Sequence, residues 1–168
     1  MTYILDGTPE QAMNAFFEHL RLAHAGGLDA ERESRAALVS LVRLYDRQAV
    51  VGPVSPEHLQ QFRKDSAAAL ASSNLVPAYV LKALFLAESA NDNQWYELSM
   101  RRSAIQSLLE DYRGTPVAAL IKLDDVAQLD EELRSLGQND EQGPVDESAI
   151  PRGLPETHWW WRYPNQFK

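Results

Sequence analysis

Two of the four histidines, His19 and His24, fall five residues apart on one predicted helix, about 140° around its axis. A helical pair that chelates one ion needs a spacing of three or four, so that both ring nitrogens converge. His58 stands in a predicted first turn and His158 near the C-terminus, so the four suggest no metal centre. The chain has no cysteine, which excludes a thiolate nucleophile, a disulfide scaffold and any Cys-ligated metal. Adjacent carboxylates occur at Asp124-Asp125, Glu131-Glu132, Asp140-Glu141 and Asp146-Glu147. Neighbouring acids in polar surroundings titrate alike, whereas acid–base catalysis needs two carboxyls with separated pKa values. Asn139 to Gly143, N-D-E-Q-G, lacks the alternating oxygen ligands of a calcium loop. No nucleophile elbow, phosphate loop or dinucleotide fingerprint is present, and the glycines sit singly or in pairs at predicted helix ends. The sequence therefore offers no catalytic residue, no metal ligand and no cofactor motif. A small helical enzyme whose site assembles only in space stays open as a reading.

Two features point instead to binding. Arg102 falls within the apolar stripe Trp95, Leu98, Ile105, Leu109, so its guanidinium must find an acid or a ligand, or reach water at the stripe's edge. Near the C-terminus comes His158-Trp-Trp-Trp-Arg-Tyr-Pro164, with three of the chain's four tryptophans side by side. In an extended chain Trp159, Trp161 and Tyr163 would share one side, and Trp160 and Arg162 the other. Three large aromatics left in water would make a patch that soluble monomers avoid. The tail therefore either folds back into a groove on its own domain or supplies a partner surface, for which Trp, Tyr and Arg are the enriched residues.

The elements that position these residues read as helices. Thr8-Pro9-Glu10-Gln11 is an N-cap, a proline at the first helical position and a capping-box Gln. Met13, Phe16, Phe17 and Leu20 follow at helical spacing to Gly26-Gly27. Asp29 is placed to cap a second helix with the stripe Leu38, Leu41, Val42, Tyr45, and Ser55-Pro56-Glu57 opens a third. From Pro77 to Ala90 apolar residues cover nearly every direction, which predicts the central buried helix. A fifth helix spans about Asn93 to Tyr112. The stripes Val117, Leu120, Ile121 and Val126, Leu129, Leu133, Leu136 point more than a quarter-turn apart. They predict a break near Asp124 and a helix end at Gly137, and the 117–123 stretch reads as either helix or strand. Beyond Gly137, proline, glycine and acids without a period predict an extended linker.

The expectation is an all-α chain: one multi-helix domain of six or seven helices over 1–136, built as stacked hairpins around a central helix. An extended acidic linker and the aromatic tail follow over 137–168. The net charge is −8, and the stretch Asp124–Glu147, with nine acids and one base, carries all of it. Such a field repels nucleic acid and anionic membranes and steers a basic partner. The N-terminus lacks the features of a signal peptide, and no apolar run reaches membrane-spanning length, which together with the missing cysteines suggests a cytoplasmic protein. The partner-binding candidates are Asp140, Glu141, Asp146 and Glu147 together with Trp159, Trp160, Trp161, Arg162 and Tyr163. The expected function is non-enzymatic: an acidic immunity or antitoxin protein that neutralises a basic bacterial toxin. An adaptor or chaperone for a secreted effector is the alternative, distinguished by a larger apolar groove and weaker salt dependence.

Overall fold

The Thr8 hydroxyl accepts the Gln11 amide at 3.1 Å, and the Gln11 side chain accepts the Thr8 amide at 2.9 Å. This capping box satisfies two of the amides that a helix start leaves open. In the computed structural model, which describes residues 3–89, 94–139 and 147–163, it begins helix α1, Pro9–His24. Gly26 and Gly27 have φ of 80° and 90° and turn the chain. Helix α2, Ala30–Val50, follows. Asp29 stands at its N-cap but makes no capping bond there, because its carboxylate turns to Arg32 at 3.4 Å. Helix α3, Pro56–Ala71, is capped by Ser55, which accepts the His58 amide at 3.2 Å.

Four more helices complete the set: α4 Leu75–Glu88, α5 Trp95–Asp111, α6 Pro116–Ala119 and α7 Leu123–Asn139. Among the described residues there is no strand, and the fold is all-α. Residues 116–119 form a single helical turn. The chain breaks over 120–122 before α7, as the two misaligned stripes require. Helices α1 and α2 make the most extensive pairing in the fold, and α3 lies against α6. No single helix among the described residues is long and apolar enough to cross a membrane.

The central helix is α5, not α4. From Trp95 to Leu108 only Glu97 and Gln106 rise above fully buried, and α5 touches α2, α4, α6 and α7. Hydropathy concealed this because α5 carries Ser99, Arg101, Arg102, Ser103 and Ser107, all buried. Most of their polar atoms are bonded inside the protein, which offsets the cost of burying them; Ser99 Oγ and Arg101 Nη1 find no partner. Helix α4 is apolar all round yet buries one side only. It leaves Leu81 at 61% and Phe85 at 65% exposure, one turn apart on its outer face.

The second departure is at Gly137, which lies inside α7 rather than ending it. A methyl group there would meet the Trp95 ring at 2.5 Å and the Tyr163 ring at 2.8 Å. The glycine is thus a place where two aromatic rings lie against a helix backbone. Changing glycine to alanine inside a helix ordinarily stabilises by about 1 kcal/mol. Here Gly137→Ala is expected to destabilise, by about 1–3 kcal/mol, because the rings must move. Urea unfolding checks this, and a gain in stability would contradict the packing described.

Candidate functional site

Arg102 is the anchor on α5. Its Nε and Nη2 donate to the Asp130 carboxylate of α7 at 2.7 and 3.3 Å, and its Nη1 donates to Gln106 at 2.8 Å. Only 4% of the residue is exposed. A forked pair of this kind satisfies the desolvated charge in a way that a single contact would not. The guanidinium plane also lies 4.4 Å from the Trp160 ring. Arg102 thus ties α5 to α7 and forms one wall of the place where the tail docks. Neighbouring Arg101 is held by Glu97 and Glu31, each at 3.1 Å, and lies over Tyr79.

The tail is not extended. Trp159–Trp161 form a 3-10 turn, which sends Trp160 and Trp161 to the same side, and both are fully buried. The Trp160 indole donates to the Ser99 carbonyl at 3.0 Å and to Ser103 Oγ at 3.1 Å. The Trp161 indole donates to the same Oγ at 2.7 Å. Two indole donors occupy both lone pairs of the Ser103 hydroxyl, so its proton must go to His158 Nδ1, 2.9 Å away. The network therefore assigns His158 as the neutral Nε2–H tautomer. That Nε2 finds no partner. Burial holds the His158 pKa down at about 4, with Arg102 pressing the same way and Glu110 opposing. Each buried indole is worth about 4–6 kcal/mol as an upper estimate from area.

The approach to this dock is also specified. Asp46, buried on α2, accepts the Arg152 amide at 2.8 Å and the Arg47 guanidinium at 2.6 and 2.9 Å. Gly153 has φ +74°, and a methyl there would lie 2.9 Å from the Tyr45 carbonyl. The chain thus runs closer to α2 than any side chain would permit. Thr157 then donates to Glu110 of α5 at 2.6 Å.

A cleft of about 730 Å³ opens beside the docked tail. Half-buried Trp159 and Tyr163 give it aromatic walls and Arg134 and Arg162 line it, with the buried Trp161 and His158 also in its lining. Arg134 lies 4.7 Å over the Trp159 ring and is held by Glu131 at 2.9 Å. Arg162 is held by Glu147 at 2.7 Å.

Of the residues singled out in the sequence, the structure brings Trp159, Trp160, Trp161, Arg162, Tyr163 and Glu147 together. It divides them between two tasks. Trp160 and Trp161 face the protein's own core and are closed to any partner while docked. Trp159 and Tyr163 are half-buried at the cleft, and Arg162 and Glu147 are exposed as a pair. Asp140, Glu141 and Asp146 lie outside the described residues. Elsewhere, His19 Nδ1 pairs with Glu33 across α1 and α2 at 2.6 Å, and His24 and His58 are exposed. Sequence reasoning missed Ser99, Ser103 and Asp130. The signal for the serines was their spacing of four, Ser99, Ser103 and Ser107, which places three small hydroxyls along one face of a helix.

Two outcomes are expected. Ser103→Ala leaves the Trp161 N–H and His158 Nδ1 without partners and should cost about 2–4 kcal/mol in urea unfolding. The second concerns acid. The folded His158 pKa lies below the ordinary value, so the docked tail binds fewer protons than the free one. Its contribution is complete above pH ~6.5 and is lost as pH falls toward ~4, by up to about 3 kcal/mol. Tryptophan emission should shift to the red across that window, and His158→Asn should lessen the shift; an identical titration in the variant would remove His158 from the account. Comparison with protein-family models, with curated proteins and with solved structures yields no match to this chain.

Proposed function

We propose that this chain is a non-enzymatic protein-binding protein, an acidic inhibitor of the immunity or antitoxin kind that neutralises a basic toxin. The observation that supports it is the outer surface made by α4 and α7. Leu81 and Phe85 stand exposed on α4, and the adjoining helix α7 carries Asp124, Asp125, Glu131 and Glu132 with Arg134 as the one base among its described residues. Gln128 of α7 bonds Glu88 of α4 at 3.2 Å, which joins the two helices at this surface. Lys82 lies over the Phe85 ring at 5.6 Å; an exposed apolar pair next to a helix rich in acids would offer a basic partner apolar contact for affinity and charge for speed and selectivity. The buried pair Trp160 and Trp161 plays no part in this contact; it holds the domain together.

An adaptor for a secreted effector is the second reading, favoured by the same exposed Leu81 and Phe85. Salt separates the two. A tagged chain is used to capture partners from its native cell lysate at low and high salt. A single basic partner, weakened at high salt, is expected, whereas a salt-resistant partner would favour the adaptor. With the captured partner purified, changing Asp124, Asp125, Glu131 and Glu132 to their amides should slow association about tenfold at low salt and flatten its salt dependence. Phe85→Asp, at an exposed position, should leave stability within about 0.5 kcal/mol and abolish capture. Undiminished capture by both variants would sink the proposal.

A further inference from the structure

The two ends of the described chain meet over α2 and α5. The arm before α1, residues 3–8, is held on α2 by two arginines. Arg43 donates to the Asp6 carbonyl at 2.8 Å, and Arg47 donates to the Gly7 carbonyl at 3.4 Å. The tail comes down on the same helix, where the Asp46 carboxylate accepts the Arg152 amide at 2.8 Å. Asp46 and Arg47 are themselves joined, by two donors on one carboxylate oxygen at 2.6 and 2.9 Å. Arm and tail are thus the two ends of one hydrogen-bonded row that runs Gly7, Arg47, Asp46, Arg152. Tyr3 and Leu5 of the arm and Ser148, Ala149 and Ile150 of the tail also line one recess of about 170 Å³.

A second link runs through Tyr96 of α5. Its hydroxyl accepts the Tyr3 amide at 3.2 Å, and its ring stacks on the Tyr3 ring with centroids 6.1 Å apart and planes 27° from parallel. The Trp161 ring of the tail meets the same Tyr96 ring at 5.6 Å and 70°. The Tyr3 hydroxyl is fixed in turn by Glu97 at 2.7 Å. One ring of the body therefore carries both the arm and the tail. We propose that the N-terminal arm is a clasp for the C-terminal tail: the two dock and release together, so whatever displaces the arm uncovers Trp160 and Trp161. Without the arm, Tyr96 loses the stack that steadies its ring against Trp161. Arg47 loses the carbonyl that helps set its fork on Asp46, and with it the oxygen that holds Arg152 is less firmly placed. Both ends are short segments that can open while the helices stay folded. Coupling between two docked segments is reciprocal, so loosening the tail must also loosen the arm. The clasp uses no residue of the acidic α4–α7 surface and stands or falls independently of it.

The test is hydrogen exchange of the full chain, followed by NMR at the indole N–H groups of Trp160 and Trp161, which are bonded in the dock. Tyr3→Ala removes the stacked ring without touching Ser99 or Ser103, and should speed exchange of both indoles about tenfold. Leu59→Ala is the control. It weakens the packing of a half-buried residue on α3 that stays folded when only the clasp opens, so the indoles should exchange as in the wild type. In the reciprocal direction, Trp161→Phe should speed exchange of the Tyr3 amide, which is bonded to Tyr96. Three results would each overturn the clasp. Indoles indifferent to Tyr3→Ala would make the tail independent of the arm. Equal acceleration by Leu59→Ala would mean that the indoles exchange only when the whole domain unfolds. A Tyr3 amide indifferent to Trp161→Phe would mean that the arm opens alone. Should either clasp variant fail to fold, Tyr3→Leu and Trp161→Tyr take their places under the same criteria.

Discussion

A hydroxyl group has two lone pairs and one proton, and Ser103 has all three committed at a point that water does not reach. This constraint organises the C-terminal part of the molecule. Helix α5 can be buried on nearly every side because most of the polar atoms it carries meet a partner, an unmatched one costing about 1–3 kcal/mol; Ser99 Oγ and Arg101 Nη1 are exceptions. Arg102 meets Asp130, and Ser103 meets three rings of the tail. The tail in turn can bury two indoles only where donors are accepted and a flat cation covers a ring face. Each side supplies what the other lacks, so helix and tail are stable together.

Magnitudes show what holds the tail in place. The Arg162–Glu147 pair is exposed on both sides and is worth about 1 kcal/mol or less. The two buried indoles are worth several times that even after discounting. Apolar burial therefore supplies the adhesion, and the Ser103 bonds decide where it is applied. The charges next to the tail are paired: Arg134 with Glu131 and Arg162 with Glu147.

Much of the architecture was legible because local chemistry decides it. Thr8, Pro9 and Gln11 carry their own instructions, and Ser55 does the same for α3. The break before α7 follows from two stripes that one straight helix cannot bury. Failures occurred where tertiary partners override a local rule. Hydropathy marks α4 as central, but hydropathy does not register that Arg102 and Ser103 are matched by residues 28 and 55 or more positions away. Gly137 has the form of a helix stop and is in fact a contact with Trp95 and Tyr163. The tryptophans were singled out correctly as needing cover. Their direction was not, since alternation holds for an extended chain and the tail makes a 3-10 turn. The cleft had no signature in the sequence, because Arg134 and the tail meet only in the fold.

The long sequence separation between Ser103 and its partners has a consequence for synthesis. On the ribosome Ser103 is added 55 residues before His158. Helices α1 and α2 can pair as soon as both exist, since their contact closes a short loop. The groove over Ser99 and Ser103 has no such local partner, and water must occupy it until the indoles arrive. The nascent chain thus passes through a stage with a formed hairpin and an open, partly polar seam along its future centre. The serines make that seam tolerable: a groove lined with leucine would be an adhesive surface for the same interval, whereas hydroxyls accept water and later exchange it for tryptophan.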